Sequence, residues 1–396
     1  MPAADLKYKS GSVFFPFRQE SNFLYLTGFL EPKSVAVIQK TGPALDDYVF
    51  HLFCRSKDPR AEQWAGPWSG LQAAKDVFNA DEAYDIATFE TVLPRLLRNA
   101  NRIYTDAKLR NDEGQPTALV ELFRSTNRAV SIDALQPVAN QLRAIKSPSE
   151  IANMRTAGRA SGRALTAAMR RAWTREKDLE KFLEYEFAVN GCDDPAYVPV
   201  VAGGQRGCMI HYVHNTAALE DGDMVLVDAG GEYGSYVSDI TRTWPVSGKF
   251  SPAQKDLYQA VLKVQRTSVS LCRESAGLTL DQIHRSTETG LRDELSQLGF
   301  DMSGNALDTL FPHHVGHYVG VDLHDVPGYG RQVPLKAGHC VTVEPGIYVP
   351  DDARFPKHFR GLAVRIEDSV CVDDDSPLIL TTEAVKEVVD IEALRD

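Results

Sequence analysis

Along the chain the spacing of apolar and polar positions changes period several times, and each change marks an element. Between Ser34 and about Ala144, short β-rich runs at 34–38 and from Tyr48 to Cys54 alternate with helical spacing around Phe89 to Ala100. That alternation predicts a small α/β domain. Ser147-Pro-Ser-Glu150 then reads as a helix start. Ser147 is the N-cap, Pro148 takes the first helical position, and Glu150 is placed to return the hydrogen bond of a capping box. Ile151, Met154, Ala157, Leu165 and Met169 follow at roughly helical spacing, and a second helix is predicted from about Lys177 to Val189, stopped by Gly191. The same order returns further on. Ser251 to Gln254 caps a helix with Leu257, Val261, Val264 and Leu271 on one face, and Thr279 to Gln282 caps another that ends at Gly299. Strands are predicted at Cys340 to Val343 and Ala363 to Ile366.

Two successive helix, helix, strand, strand units predict a duplicated α+β domain. Its strands would join into one curved antiparallel sheet, helices on the convex face and the concave face free for a site. The expected division is an α/β domain at 1–140 and the α+β domain at 141–396.

Composition narrows the function classes. With 396 residues, 43% apolar and 24% charged, the chain is a folded protein long enough for two domains. A net charge of −11 argues against a nucleic-acid partner, since phosphate contact requires clustered Lys and Arg. No apolar run approaches the roughly 18 to 20 residues of a membrane span, and the start has neither a signal peptide's apolar core nor a transit peptide's Arg-rich helix. The 6 cysteines are scattered without a C-x-x-C pair, so they are read as reduced structural thiols of a reducing compartment.

The chemistry lies in the acids at strand ends. Val225-Leu-Val227 ends in Asp228, and after Gly230, Gly231 and Gly234 a second strand leads to Asp239, so a hairpin at those glycines would bring the two carboxylates together. Two further apolar runs end in Glu344 and Glu367. A single acid at a strand end is usually a solvated edge residue. Four of them in an apolar interior would repel one another and need cations, and two divalent ions would balance the charge. The stretch from His313 to Asp325 adds His313, His314, His317 and His324. His317 reads as the nitrogen ligand, whereas His314 reads as a residue turned away from the chemistry. One imidazole with four carboxylates suits Mn²⁺, Co²⁺, Fe²⁺ or Zn²⁺, and two such ions sharing a water would yield hydroxide near neutral pH.

Six blocks, in order, carry a family resemblance: Ile210-His-Tyr-Val, Leu226-Val-Asp-Ala-Gly, Ser238-Asp-Ile-Thr-Arg-Thr-Trp-Pro, His313-His-Val-Gly-His, Val343-Glu-Pro-Gly-Ile-Tyr and Val364-Arg-Ile-Glu-Asp. They resemble the motifs of the aminopeptidase P (Xaa-Pro aminopeptidase) family, pita-bread metallopeptidases. Phe17-Arg-Gln-Glu-Ser-Asn-Phe resembles the creatinase-type N-terminal domain of that family, and Pro312-His-His-Val-Gly-His-Tyr looks most like its mitochondrial, intermediate-cleaving branch. The resemblance implies a pita-bread catalytic domain behind a smaller α/β domain. It also implies a dinuclear centre, usually Mn²⁺, ligated by Asp228, Asp239, His317, Glu344 and Glu367, with Asp239 and Glu367 bridging. Removal of one N-terminal residue, preferentially before proline, follows by attack of a bridging hydroxide, with Glu344 moving the proton.

Carried over in the same way, His324 stabilises the tetrahedral intermediate, while His211 and His313 line the side after the cleaved bond. Arg365 either anchors the outer shell or forms an ion pair with Asp239 or Glu367. Trp64 matches a position that reaches a neighbouring subunit's site, and a homodimer is implied. His314 stands where the family usually has glycine, which adds bulk and charge at the pocket entrance and relaxes the demand for proline. The start is short by comparison, without a leader, and the compartment is the mitochondrial matrix or the cytoplasm. A prolidase restricted to Xaa-Pro dipeptides and a peptidase that needs no proline are the enzyme alternatives. A metal-free peptide-binding domain is the non-enzyme one, disfavoured because all five ligand positions hold competent residues.

Overall fold

The structure, a computed structural model, describes residues 1–107, 118–126 and 130–396. It divides into two compact units, Met1–Asn140 and Gln141–Asp396.

In the first unit Tyr48–Cys54 is the central strand, antiparallel to Val35–Lys40 and parallel to Glu82–Asp85. Phe50, Leu52 and Cys54 share one face of that strand and pack with Phe23, Phe29 and Ala74, as the period of two requires. A parallel pair, Arg102–Thr105 with Ser131–Ala134, stands apart. Beside it the helix Phe89–Leu97, three residues shorter than the sequence suggests, buries Leu93 and Leu97 against Phe123.

The second unit is built as the sequence predicts at its helix starts. Ser147, Ser251 and Thr279 each close a full capping box, with Glu150, Gln254 and Gln282 respectively. Each cap satisfies backbone N–H groups that the first turn leaves without partners. The helices Pro148–Met169 and Glu176–Val189 precede the strands Val200–Gly203, Met224–Asp228 and Thr241–Pro245. Pro252–Ser270 and Leu280–Gln297 precede Cys340–Val343, Gly346–Tyr348, Ala363–Arg365 and Asp368–Cys371. One apolar core joins both sets, with Leu165, Leu183, Trp244, Leu257 and Leu291 among its fully buried members. All strand pairings in this unit are antiparallel.

The expected single continuous sheet is instead broken into several short ladders, and the breaks matter. Asp228 closes its strand, Asp239 falls between Tyr236–Val237 and Thr241–Pro245, Glu344 between Cys340–Val343 and Gly346–Tyr348, and Glu367 between Ala363–Arg365 and Asp368–Cys371. An interrupted ladder lets a side chain leave the strict in-and-out alternation. Other bonds hold the breaks together: Glu367 N–H donates to the Thr241 carbonyl at 3.1 Å and Glu344 N–H to the Val315 carbonyl at 2.8 Å. Among the described residues no helix is long and apolar enough to cross a membrane.

Candidate metal centre

The hairpin expected between Asp228 and Asp239 forms, with its turn at Gly234 and Ser235, both at positive φ (55° and 67°). Asp228 lies opposite Thr241 in the adjoining ladder. Gly230 permits the crossing of the two arms, because a Cβ there would lie 1.8 Å from the Ser238 carbonyl oxygen. Strand Cys340–Val343 pairs with Asp368–Cys371, setting Val343 opposite Asp368 and so bringing Glu344 and Glu367 to the same end of that ladder. His317 joins through its backbone, its carbonyl accepting from Thr342 N–H at 2.8 Å and its N–H donating to Thr342 Oγ1 at 3.0 Å.

The result is a compact donor set. Ligand atoms of Asp239, His317 and Glu367 all lie within 4.8 Å of one another. His317 Nε2 is 3.3 Å from Asp239 Oδ2 and 3.5 Å from Glu344 Oε1. Asp228 is tied to Asp239 by Tyr197, whose hydroxyl lies 2.6 Å from Asp228 Oδ1 and 2.9 Å from Asp239 Oδ1. Thr241 donates to Glu367 at 2.7 Å and Thr342 to Glu344 at 3.1 Å.

The charges do not balance. Burial, reinforced by Asp239, Glu344 and Asp228, raises the Glu367 carboxyl well above the usual carboxylate range. Burial also pushes Glu344 up to about 7, although the His317 cation pulls the other way. Asp228 is raised by burial as well, with Arg365 opposing. His317, which burial alone would lower, is raised to about 9 by its hydrogen bond to Asp239 and the Glu344 charge. Its Nδ1–H is committed to the Tyr318 carbonyl at 3.0 Å, which turns Nε2 toward the acids. An imidazole Nε2 and several carboxylate oxygens that face one another and hold protons between them form the donor arrangement a divalent cation satisfies by displacing those protons, so these residues fit a metal centre.

Around it, Arg365 takes neither of its two expected acidic partners. Its Nη2 pairs with Asp228 at 2.7 Å, its Nε donates to Thr241 at 3.0 Å, and its Nη1 donates to the Tyr348 hydroxyl at 2.8 Å. That hydroxyl lies 2.8 Å from His313 Nε2, so His313 is joined to Asp228 through Tyr348 and Arg365. The His324 ring stands edge-on to His317 with centroids 4.3 Å apart. His211 is exposed. Burial and the neighbouring His317 lower the His324 pKa, with Asp239 opposing. His314 stacks on His284 at 4.3 Å, lies 3.3 Å from Asp281 and hydrogen-bonds the Gly316 carbonyl at 2.8 Å. Burial lowers its pKa to about 4, so it does not bring the charge expected from its type. Trp64 is 89% exposed, on a helix, Pro59–Ala65, that buries none of its residues.

Tyr197, Thr241 and Thr342 escape a search for acids and histidines because they carry no charge, although Thr241 lies inside a quoted block. Tyr348 lies inside a quoted block, but nothing in its type announced a bridge between His313 and Arg365.

Comparison with known proteins gives one consistent picture. The model of Metallopeptidase family M24 matches residues 152–374, and that of the Aminopeptidase P, N-terminal domain matches residues 1–104. The chain is 41% identical over 400 residues to Intermediate cleaving peptidase 55 of Saccharomyces cerevisiae, covering 98% of this chain and 78% of that protein. It is 42% identical over 402 residues to Xaa-Pro aminopeptidase 3 of Mus musculus, with the same coverage of 98% and 78%. A crystal structure of Icp55 from Saccharomyces cerevisiae superposes with a TM-score of 0.92 at 39% identity, covering 100% of this chain and 92% of that one. Zinc-substituted Escherichia coli aminopeptidase P in complex with product gives 0.92 at 34% identity, with coverage of 100% and 92%.

Proposed function

We propose, from the premise that this chain belongs to metallopeptidase family M24 and is a metal-dependent aminopeptidase, a specific assignment of its site and substrate. Asp228, Asp239, His317, Glu344 and Glu367 hold two divalent ions, with Mn²⁺ suited to the oxygen-rich donor set. The enzyme takes peptides with a free N-terminus and removes one residue, preferentially from Xaa-Pro sequences. The observation that carries this reading is the gathering of Asp239, His317 and Glu367 ligand atoms within 4.8 Å of one another, with Glu344 3.5 Å from His317 and Asp228 joined to Asp239 through the Tyr197 hydroxyl.

Ions bound there would make a water nucleophilic near neutral pH and polarise the scissile carbonyl. The protein supplies the rest. Glu344, 3.5 Å from His317 at the centre, takes the proton of the attacking water and returns it to the leaving nitrogen. Arg365 fixes Asp228, near which the substrate amine binds, and through Tyr348 it also fixes His313. A free amine docked there places the first peptide bond at the nucleophile and no other, which is exopeptidase action by positioning. His324, edge-on to His317, stabilises the tetrahedral oxygen, and His211 and His313 flank the residue after the cleaved bond.

The test is chelation followed by readdition of Mn²⁺, Co²⁺ or Zn²⁺, with cleavage of tripeptides varied at the first two positions. Activity should vanish and return, and Asp239→Ala and Glu367→Ala should lose metal and turnover together. A metal-free variant at full activity overturns the ligand assignment; cleavage of Xaa-Pro dipeptides but not Xaa-Pro-Xaa tripeptides overturns the substrate assignment. A relative from Arabidopsis thaliana is named a mitochondrial intermediate cleaving peptidase, which supports placing this enzyme in the mitochondrial matrix. A homodimer is proposed with it, measurable by sedimentation.

A further inference from the structure

His324 has no hydrogen bond among the described residues; its side chain is exposed and touches His317 edge-on. Its position is therefore set by the backbone that carries it. That backbone is held at the next residue. Asp325 is 6% exposed, and its carboxylate sits between two buried cations, with Oδ1 accepting from Arg143 and Oδ2 from Lys146 at 2.8 Å. The side chains of Arg143 and Lys146 are each 1% exposed, and Arg143 also reaches Asp322 at 2.6 Å, so the loop is gripped at two of its acids.

The main chain is tied as closely. Asp325 N–H donates to the Tyr318 carbonyl at 2.8 Å, and the same oxygen accepts from His317 Nδ1 at 3.0 Å. One carbonyl thus fixes both the ring orientation of His317 and the backbone on which His324 stands. Gly320 lies against the ion cluster; a Cβ there would be 2.5 Å from Asp325 Oδ2 and 2.8 Å from Lys146 Cε. Val326, directly after Asp325, is held at φ 47°, a strained conformation for a β-branched residue that persists only where the surroundings over-determine it.

We infer that Asp325 is a positioning residue, pinned by Arg143 and Lys146, whose task is to hold His324 against His317 at the reaction centre. This rests on the reading of His324 as the residue that stabilises the tetrahedral oxygen. Misplacement of such a group by about 1 Å costs on the order of 100-fold in rate. The experiment is a double-mutant cycle on the metal-loaded enzyme with a Xaa-Pro tripeptide, following kcat, KM, metal content and the thermal midpoint. Asp325→Asn is expected to lower kcat by about 10- to 100-fold, with KM and metal content unchanged. In a His324→Ala background the same substitution should change kcat by less than about 2-fold. Lys146→Met, which leaves Arg143 in place, should show the same pattern with a smaller loss, and serves if Asp325→Asn does not fold. Additive losses in the double variant, or wild-type kcat in a folded Asp325→Asn, overturn the inference. Wild-type kcat in His324→Ala overturns instead the reading of His324 on which it stands.

Discussion

Tyr197 shows how much a neutral residue decides at this centre. Its hydroxyl lies between Asp228 and Asp239 at 2.6 and 2.9 Å, a contact to a carboxylate of each arm of the hairpin. Burial and the Asp228 and Asp239 charges raise its pKa well above the ordinary phenol value, so it remains a donor throughout the working pH range. Partners of this kind orient metal ligands, and their loss typically costs 10- to 100-fold in metal affinity or activity. Tyr197→Phe should therefore weaken metal binding by about 10-fold while the thermal midpoint of the metal-loaded protein stays close to wild type; titration calorimetry with Mn²⁺ reads the difference. Unchanged affinity would mean that the two aspartates hold their geometry without the hydroxyl.

At the level of elements, the site depends on where the ladders break. The hairpin bearing Asp228 and Asp239 crosses itself at Gly230, where the Ser238 carbonyl leaves no room for a Cβ. Its neighbours cannot yield cheaply, since Ser238 N–H is itself bonded to the Gly231 carbonyl at 3.0 Å and Ala196 N–H to the Gly230 carbonyl at 2.9 Å. Gly230→Ala is expected to force the arms apart, with a loss of several kcal/mol of stability and with loss of metal binding; circular-dichroism melts and metal content check both. Gly234→Ala is the milder control. Unlike Gly230 it is left-handed (φ 55°), but a Cβ there would meet the flexible end of Asn153 rather than backbone, and the cost should stay near 1 kcal/mol.

For the molecule as a whole, the buried carboxylates make stability depend on pH and metal together. Glu344, held up to about 7 against an unfolded value near 4.3, favours folding fully below that unfolded value and loses its contribution as pH rises through 7. Glu367 and Asp228, also raised, act in the same direction. So does His317, whose contribution fades as pH rises toward about 9. With the proposed ligand set, divalent cations would replace the protons these groups otherwise keep, and metal binding should strengthen with pH. The gap in thermal midpoint between metal-loaded and metal-free protein should accordingly widen from about pH 6 to pH 8, as scanning calorimetry would show. Comparing the two forms cancels groups that do not themselves ligate the metal. Among these are Asp325 and Asp368, lowered despite burial by Lys146 and Arg143 and by Arg242 and Lys386 respectively, whose contributions fade only under strong acid. A constant gap would argue that the carboxylates bind metal without releasing protons.

What the sequence determined by itself was local or carried by residue type. The three capping boxes were legible because Ser147, Ser251 and Thr279 act on backbone groups three residues away. Asp228, Asp239, Glu344 and Glu367 stood out because charge at the end of an apolar run needs a reason, and His317 because it lies in a histidine-rich stretch; their motifs pointed to one family. The expectation of one unbroken sheet failed because an apolar run does not reveal where its ladder is interrupted, although those interruptions aim the acids. Only the tertiary structure joined Arg365 to Asp228 instead of Asp239 or Glu367, turned His314 onto His284, and set Tyr197 between two aspartates. It also placed Arg143 and Lys146 on Asp325, more than a hundred residues along the chain. Pairing of that kind is chosen by packing and by the need to satisfy buried charge, and neither quantity exists until distant segments meet.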